Sequence, residues 1–163
     1  MRIAFDSAIL VRANQRATGL ARALLLAVLE NGHTMVLSAS VLDEVGRVLH
    51  YPRLLKAYAL TGIEISRFVA FLSASAHVVE IDETVAPPIR DPDDVYIVRT
   101  AVSEKADLLC TLDAHFYDSA VLEFCRTHGI RVVWGCRDAR FDSCSNARHR
   151  NSGRVLTPVS CVK

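Results

Sequence analysis

Hydrophobic and polar positions alternate along this chain in short blocks, each of strand or helix length. Arg2 to Phe5 reads as a short apolar strand that runs straight into Asp6. Residues 8–15 carry a helical pattern, broken at Thr18-Gly19. Leu20 to Glu30 is a strongly apolar helix closed by Asn31-Gly32, a C-terminal stop signal. Met35 to Leu37 is a run of strand length, and Ser38 or Ser40 caps a helix from about Val41 to Leu49. Pro52 opens a helix over Arg53 to Leu60. Ile63 to Ser75 forms another, with Ile65, Phe68, Val69 and Leu72 on one face. A strand is expected at Val78 to Ile81, followed by a loop that Pro87-Pro88 holds extended.

The second half repeats the alternation. Asp91-Pro92-Asp93-Asp94 opens a helix, with proline early and acids at the positive end of the dipole. Val95, Val98, Ala101 and Val102 line its apolar face. Leu108 to Cys110 is a buried strand, Ala114 to His128 a helix stopped by Gly129, and Ile130 to Trp134 the last strand. Strands alternating with helices predict an α/β fold, a parallel sheet covered on both faces. From Gly135 the pattern dissolves. The expectation is one domain over residues 1–136 and an irregular tail over 137–163, with a possible strand at Val155 to Val162.

Composition narrows the class. Hydrophobic residues make up 51% of the 163 and charged residues 23%, ordinary for a globular protein with a full core. The longest strongly apolar stretch, Leu20 to Leu29, is interrupted by Arg22 and is too short for a membrane span. Asp6 interrupts any apolar run behind Arg2, so no signal peptide is read and a cytoplasmic location is expected. Five cysteines without a C-x-x-C give neither a disulfide framework nor a zinc finger; Cys136, Cys144 and His149 fit no common ligand spacing. Net charge is +1, but its distribution is uneven. Residues 1–136 hold 13 Lys+Arg against 16 Asp+Glu, and residues 137–163 hold 6 against 2. A basic tail suits phosphate contact as well as plain solvation.

The acids carry the chemistry. In parallel α/β sheets, sites form beyond the carboxyl ends of the strands. Asp6 directly follows the first strand and Asp113 follows Leu108–Cys110. Asp94 lies in the first turn of the helix before that strand, and Glu44 one turn into the helix after Met35–Leu37. Singly, each has an ordinary explanation as a cap, a turn residue or a solvated helix acid. Together they reach one edge of the sheet. Clustered carboxylates repel one another unless a cation joins them, and oxygen-only donors favour Mg²⁺ or Mn²⁺.

Four segments resemble one family: FDSAILVRA (Phe5 to Ala13), SASVLDEVGRVLHYPRL (Ser38 to Leu54), RDPDDVYIVRTAVSEKADLLCTLDAHF (Arg90 to Phe116) and GIRVV (Gly129 to Val133). They resemble PIN-domain proteins, closest to the branch described as toxins of toxin–antitoxin pairs, over roughly residues 1–134. The resemblance implies a three-layer α/β/α fold and hydrolysis of RNA phosphodiester bonds with Mg²⁺ or Mn²⁺. It also implies a homodimer and a small antitoxin partner. The family's four acids fall on Asp6, Glu44, Asp94 and Asp113. Ser7 and Thr111 match hydroxyl positions beside the metal, and Asp91 and Asp93 match flanking acids. Two departures stand out. The family usually shows Asp-Thr-Asn where this chain has Asp6-Ser7-Ala8, and Trp134-Gly135-Cys136 replaces the usual end of the last strand.

Two other classes compete. Loss of the amide at Ala8 suits a non-cutting RNA-binding module. An acid after the first strand also suits a phosphotransfer domain. However, a receiver wants an acid pair there and a later strand-end lysine, and the dehalogenase-like phosphatase wants Asp-x-Asp. Neither pattern is present, and Lys105 lies inside a predicted helix. The histidines at 33, 50, 77, 115 and 128 read as ordinary surface or packing residues, with His115, nearest Asp113, the one placed to contact substrate as a minor alternative.

Overall fold

The computed structural model describes residues 1–135. The tail, with its possible strand at Val155 to Val162 and with Cys136, Cys144 and His149, lies outside the described residues.

Five strands form one sheet: β1 (Arg2–Phe5), β2 (Thr34–Ser38), β3 (Ala76–Val79), β4 (Leu108–Thr111) and β5 (Arg131–Trp134). They are all parallel, in the order β3-β2-β1-β4-β5. Seven helices connect them: α1 (Ser7–Arg12), α2 (Leu20–Glu30), α3 (Ala39–Leu49), α4 (Pro52–Tyr58), α5 (Gly62–Ser75), α6 (Val95–Ser103) and α7 (Ser119–Thr127).

Strand side chains alternate between two cores, as the pleat requires. Ile3, Phe5, Met35, Leu37, Leu108 and Cys110 face one cluster, which α1, α2, α3 and α5 close with Leu10, Leu25, Val45 and Phe68. Ala4 and Leu109 face the other, closed by Ile97, Val98 and Ala101 of α6 and Val121 and Cys125 of α7. The result is three layers, α/β/α. Strands buried on both faces explain why their sequences read as continuous apolar runs.

Local chemistry sets the ends of the helices. Ser38, not Ser40, caps α3 by accepting the Val41 N–H. Thr61 and Glu64 form a reciprocal capping box on α5. Gly32 and Gly129 follow α2 and α7 at φ +67° and +76°, a left-handed geometry that glycine adopts without strain. No single helix among the described residues is long and apolar enough to cross a membrane.

Four boundaries differ from the sequence reading. The first helix spans Ser7–Arg12 rather than 8–15, because Asp6 caps it and buried Asn14 folds back to donate to the Val11 carbonyl. The helix after Pro52 ends at Tyr58, where Ala59 turns left-handed at φ 50°. The third strand is Ala76–Val79, not Val78–Ile81. Helix α5 passes into it with no loop, and its partner β2 ends at Ser38, opposite Val79. The predicted helix Ala114 to His128 is two pieces, a 3₁₀ turn Ala114–Tyr117 and then α7. Asp118 separates them in an extended conformation, its carboxylate 3.2 Å from Arg90 Nε.

Candidate metal centre

The strand order reverses at β1. The chain moves outward through β2 and β3, then crosses back to add β4 and β5 on the other side. Such a switch point leaves a crevice beyond the strand ends, where the connections diverge. Asp6 and Asp113 flank it, one just past β1 and the other just past β4. The two strands are in register there: Phe5 pairs with Cys110, and the Asp6 N–H donates to the Cys110 carbonyl at 2.9 Å.

Asp6 is 4% exposed and firmly held. Its Oδ1 accepts the Ala8 N–H at 3.0 Å and the Ser7 hydroxyl at 3.4 Å, and its Oδ2 accepts the Thr111 hydroxyl at 2.7 Å. Fully buried Thr111 also accepts the Asp113 N–H at 3.0 Å, so one hydroxyl ties both acids together. Asp113 in turn caps the 3₁₀ turn behind it, accepting the His115 N–H at 2.9 Å.

Asp94 arrives from the opposite direction. Helix α6 packs across β1, β2 and β4. A 3₁₀ turn, Pro92–Asp94, precedes it, with Asp91 Oδ1 accepting the Asp93 N–H at 2.9 Å. Partial burial, then the charges of Asp6, Asp113 and Asp91, push the Asp94 carboxyl up to about 6, with His115 opposing. That shift reports first the partial burial of the carboxyl and second the neighbouring negative charge.

Glu44 sits apart from this trio. It pairs with Arg47 one turn along α3, and Arg47 also donates to the Tyr51 hydroxyl at 2.7 Å. Tyr96 links Glu44 to the rest. Its ring packs against both cores, its hydroxyl hydrogen-bonds Ser7, and its phenol is pushed up to about 12 by burial, then by Glu44, Asp6 and Asp94. Of the flanking acids, Asp91 acts as a cap, while Asp93 is exposed on the side facing Arg47.

One group of metal-ligand atoms emerges among the described residues. An oxygen from Asp94, an oxygen from Asp113 and a nitrogen from His115 lie within 4.8 Å of one another. Two carboxylates and one imidazole, with the charge of Asp6 nearby, suit a divalent cation. The donors fit the ion that the resemblance implies. Sequence reasoning gave His115 at most a substrate contact, not a place among ligand atoms, and missed Tyr96. The first was hidden by the helix wrongly drawn over it. The signal for the second was an aromatic hydroxyl two residues after Asp94, in a helix starting at the sheet's carboxyl edge.

Comparisons with known proteins agree with the fold. The crystal structure of VapBC2 from Rickettsia felis, bound to a DNA fragment from its promoter, contains a chain of similar fold. The TM-score is 0.54 at 15% identity, covering 82% of this chain and 98% of that one. A sequence comparison with curated proteins finds no match. The family model for the PIN domain matches residues 2–115, which include all four acids, and this chain belongs to the PIN-domain family.

Proposed function

We propose that this protein is a Mg²⁺- or Mn²⁺-dependent endoribonuclease, the toxin of a bacterial toxin–antitoxin pair. One observation carries the reading: Asp6, Asp94 and Asp113 converge at the switch point, from chain segments far apart in sequence. A surface meant only to bind phosphates has no reason to gather negative charge there.

In this reading Asp6, Asp94 and Asp113 would hold the ion directly or through water. Glu44 would complete the shell or orient the attacking water. When bound, the ion supplies charge stabilisation at the phosphoryl group and a more acidic water. The protein's own part is positioning. The Ala8 amide and the Thr111 hydroxyl fix the Asp6 carboxylate. Thr111 sets the backbone of Asp113. Tyr96 places a neutral hydroxyl against Ser7, within reach of the Glu44 charge. In-line attack leaves a 5′-phosphate and a 3′-hydroxyl. A small antitoxin as partner is supported by the VapBC2 likeness, and a homodimer by the family resemblance.

The test is cleavage of a diverse RNA pool by purified protein with Mg²⁺ or Mn²⁺. Cutting should stop with EDTA, and Asp6→Asn should abolish it while the circular dichroism spectrum stays native. RNA left intact at saturating Mn²⁺ overturns the nuclease reading. RNA bound but uncut would instead support the non-cutting module favoured by alanine at position 8 in place of the usual asparagine side chain.

A further inference from the structure

The acids of the crevice are joined by a nitrogen donor that the residue pattern alone assigns to packing. His115 follows Asp113 by two residues in the 3₁₀ turn. Its backbone is anchored on both sides: its N–H donates to Asp113 Oδ1, and the next residue, Phe116, is fully buried against α6 and α7. Its side chain is 54% exposed, with Nδ1 3.4 Å from Asp113 Oδ1. The ring therefore can turn onto an ion without dismantling any packing.

The distances suit a shared ion. With bonds of about 2.1 Å in octahedral geometry, neighbouring ligands are about 3.0 Å apart and opposite ones about 4.2 Å. The 3.4 Å from imidazole to carboxylate falls inside that range. The donor atoms of the trio all lie within 4.8 Å of one another, near the span of opposite ligands. Resting on the metal-centre reading above, we propose that His115 ligates the divalent ion and gives the site a preference for Mn²⁺ over Mg²⁺. Mg²⁺ seeks oxygen ligands and keeps its waters. An imidazole in the donor set tilts selection toward first-row transition ions, of which Mn²⁺ is the one that carboxylates also suit.

The experiment is electron spin-echo spectroscopy of Mn²⁺ bound to the full chain, with natural and ¹⁵N-histidine-labelled protein. Labelled wild type should replace the ¹⁴N modulation with a ¹⁵N pattern, and His115→Ala should lose both. The same variant should bind Mn²⁺ about tenfold more weakly or worse, with Mg²⁺ affinity changed less than about twofold. Its melting temperature in EDTA should match wild type. Mn²⁺ bound to wild type without histidine coupling overturns the role of His115 and leaves the carboxylate centre standing. Equal weakening of both ions in His115→Ala overturns the selectivity. If wild type binds no Mn²⁺ at all, His115 and the metal-centre reading fall together.

Discussion

The Thr111 hydroxyl donates to Asp6 at 2.7 Å and joins residues 105 positions apart in the chain. The same oxygen receives the Asp113 N–H. Thr111→Val keeps the shape and removes both bonds. A buried hydrogen bond to a charged group contributes about 1.5–3 kcal/mol. Urea denaturation in EDTA should show a loss of that size, and calorimetric titration should show weaker Mn²⁺ binding. Unchanged stability and affinity would mean that the hydroxyl positions nothing.

Asp94 makes metal-free stability depend on pH. Its folded pKa is raised from 3.8 to about 6, so across that interval the folded protein holds more proton than the unfolded chain. This group's contribution therefore falls as pH rises through the interval. The penalty is absent below it and complete above it. Asp94→Asn removes the penalty. In EDTA at pH 7.5 the variant should melt higher than wild type, and near pH 4 the gap should narrow. A gap that stays constant with pH would refute the raised carboxyl. Cation binding to wild type near pH 6 should also release protons, measurable by comparing titrations in buffers of different ionisation enthalpy.

Tyr96→Phe deletes one oxygen against Ser7, within reach of the Glu44 charge. A neutral hydrogen bond of this kind contributes about 0.5–1.5 kcal/mol. The variant should lose that much stability, and kcat should fall more than KM rises if the hydroxyl acts through Ser7 beside Asp6. A change confined to KM would place Tyr96 in substrate contact instead.

Thr61→Ala offers a control remote from the crevice. Thr61 accepts the Glu64 N–H and, with Glu64, closes the capping box on α5. Its loss should cost about 1 kcal/mol. Metal affinity and RNA cleavage per folded molecule should match wild type. A drop in affinity would show that α5 communicates with the centre.

The alternation of elements and the acids at strand ends were readable because both follow from local rules. Asp6 stood out because a carboxylate directly after a buried strand needs a reason to be there. The strand order was not readable. No residue between Val79 and Leu108 encodes that the chain returns past β2 and β1 before adding β4; that is decided by which faces α6 can cover. His115 was misread for a related reason. A continuous helical pattern over 114–128 hides the break at Asp118, whose carboxylate pairs with Arg90, a residue distant in sequence. Tyr96 escaped because its phenol acts with Ser7 and Glu44, partners that only the folded chain brings near.

Because β4 is laid beside β1 only after more than a hundred residues, a ribosome that has released β1, β2 and β3 carries Asp6 but none of its partners from the other half. No N-terminal fragment ending before Leu108 can assemble the centre. An emerging chain thus lacks the assembled acids until β4 is laid beside β1, and protein synthesis itself sets the moment at which they meet.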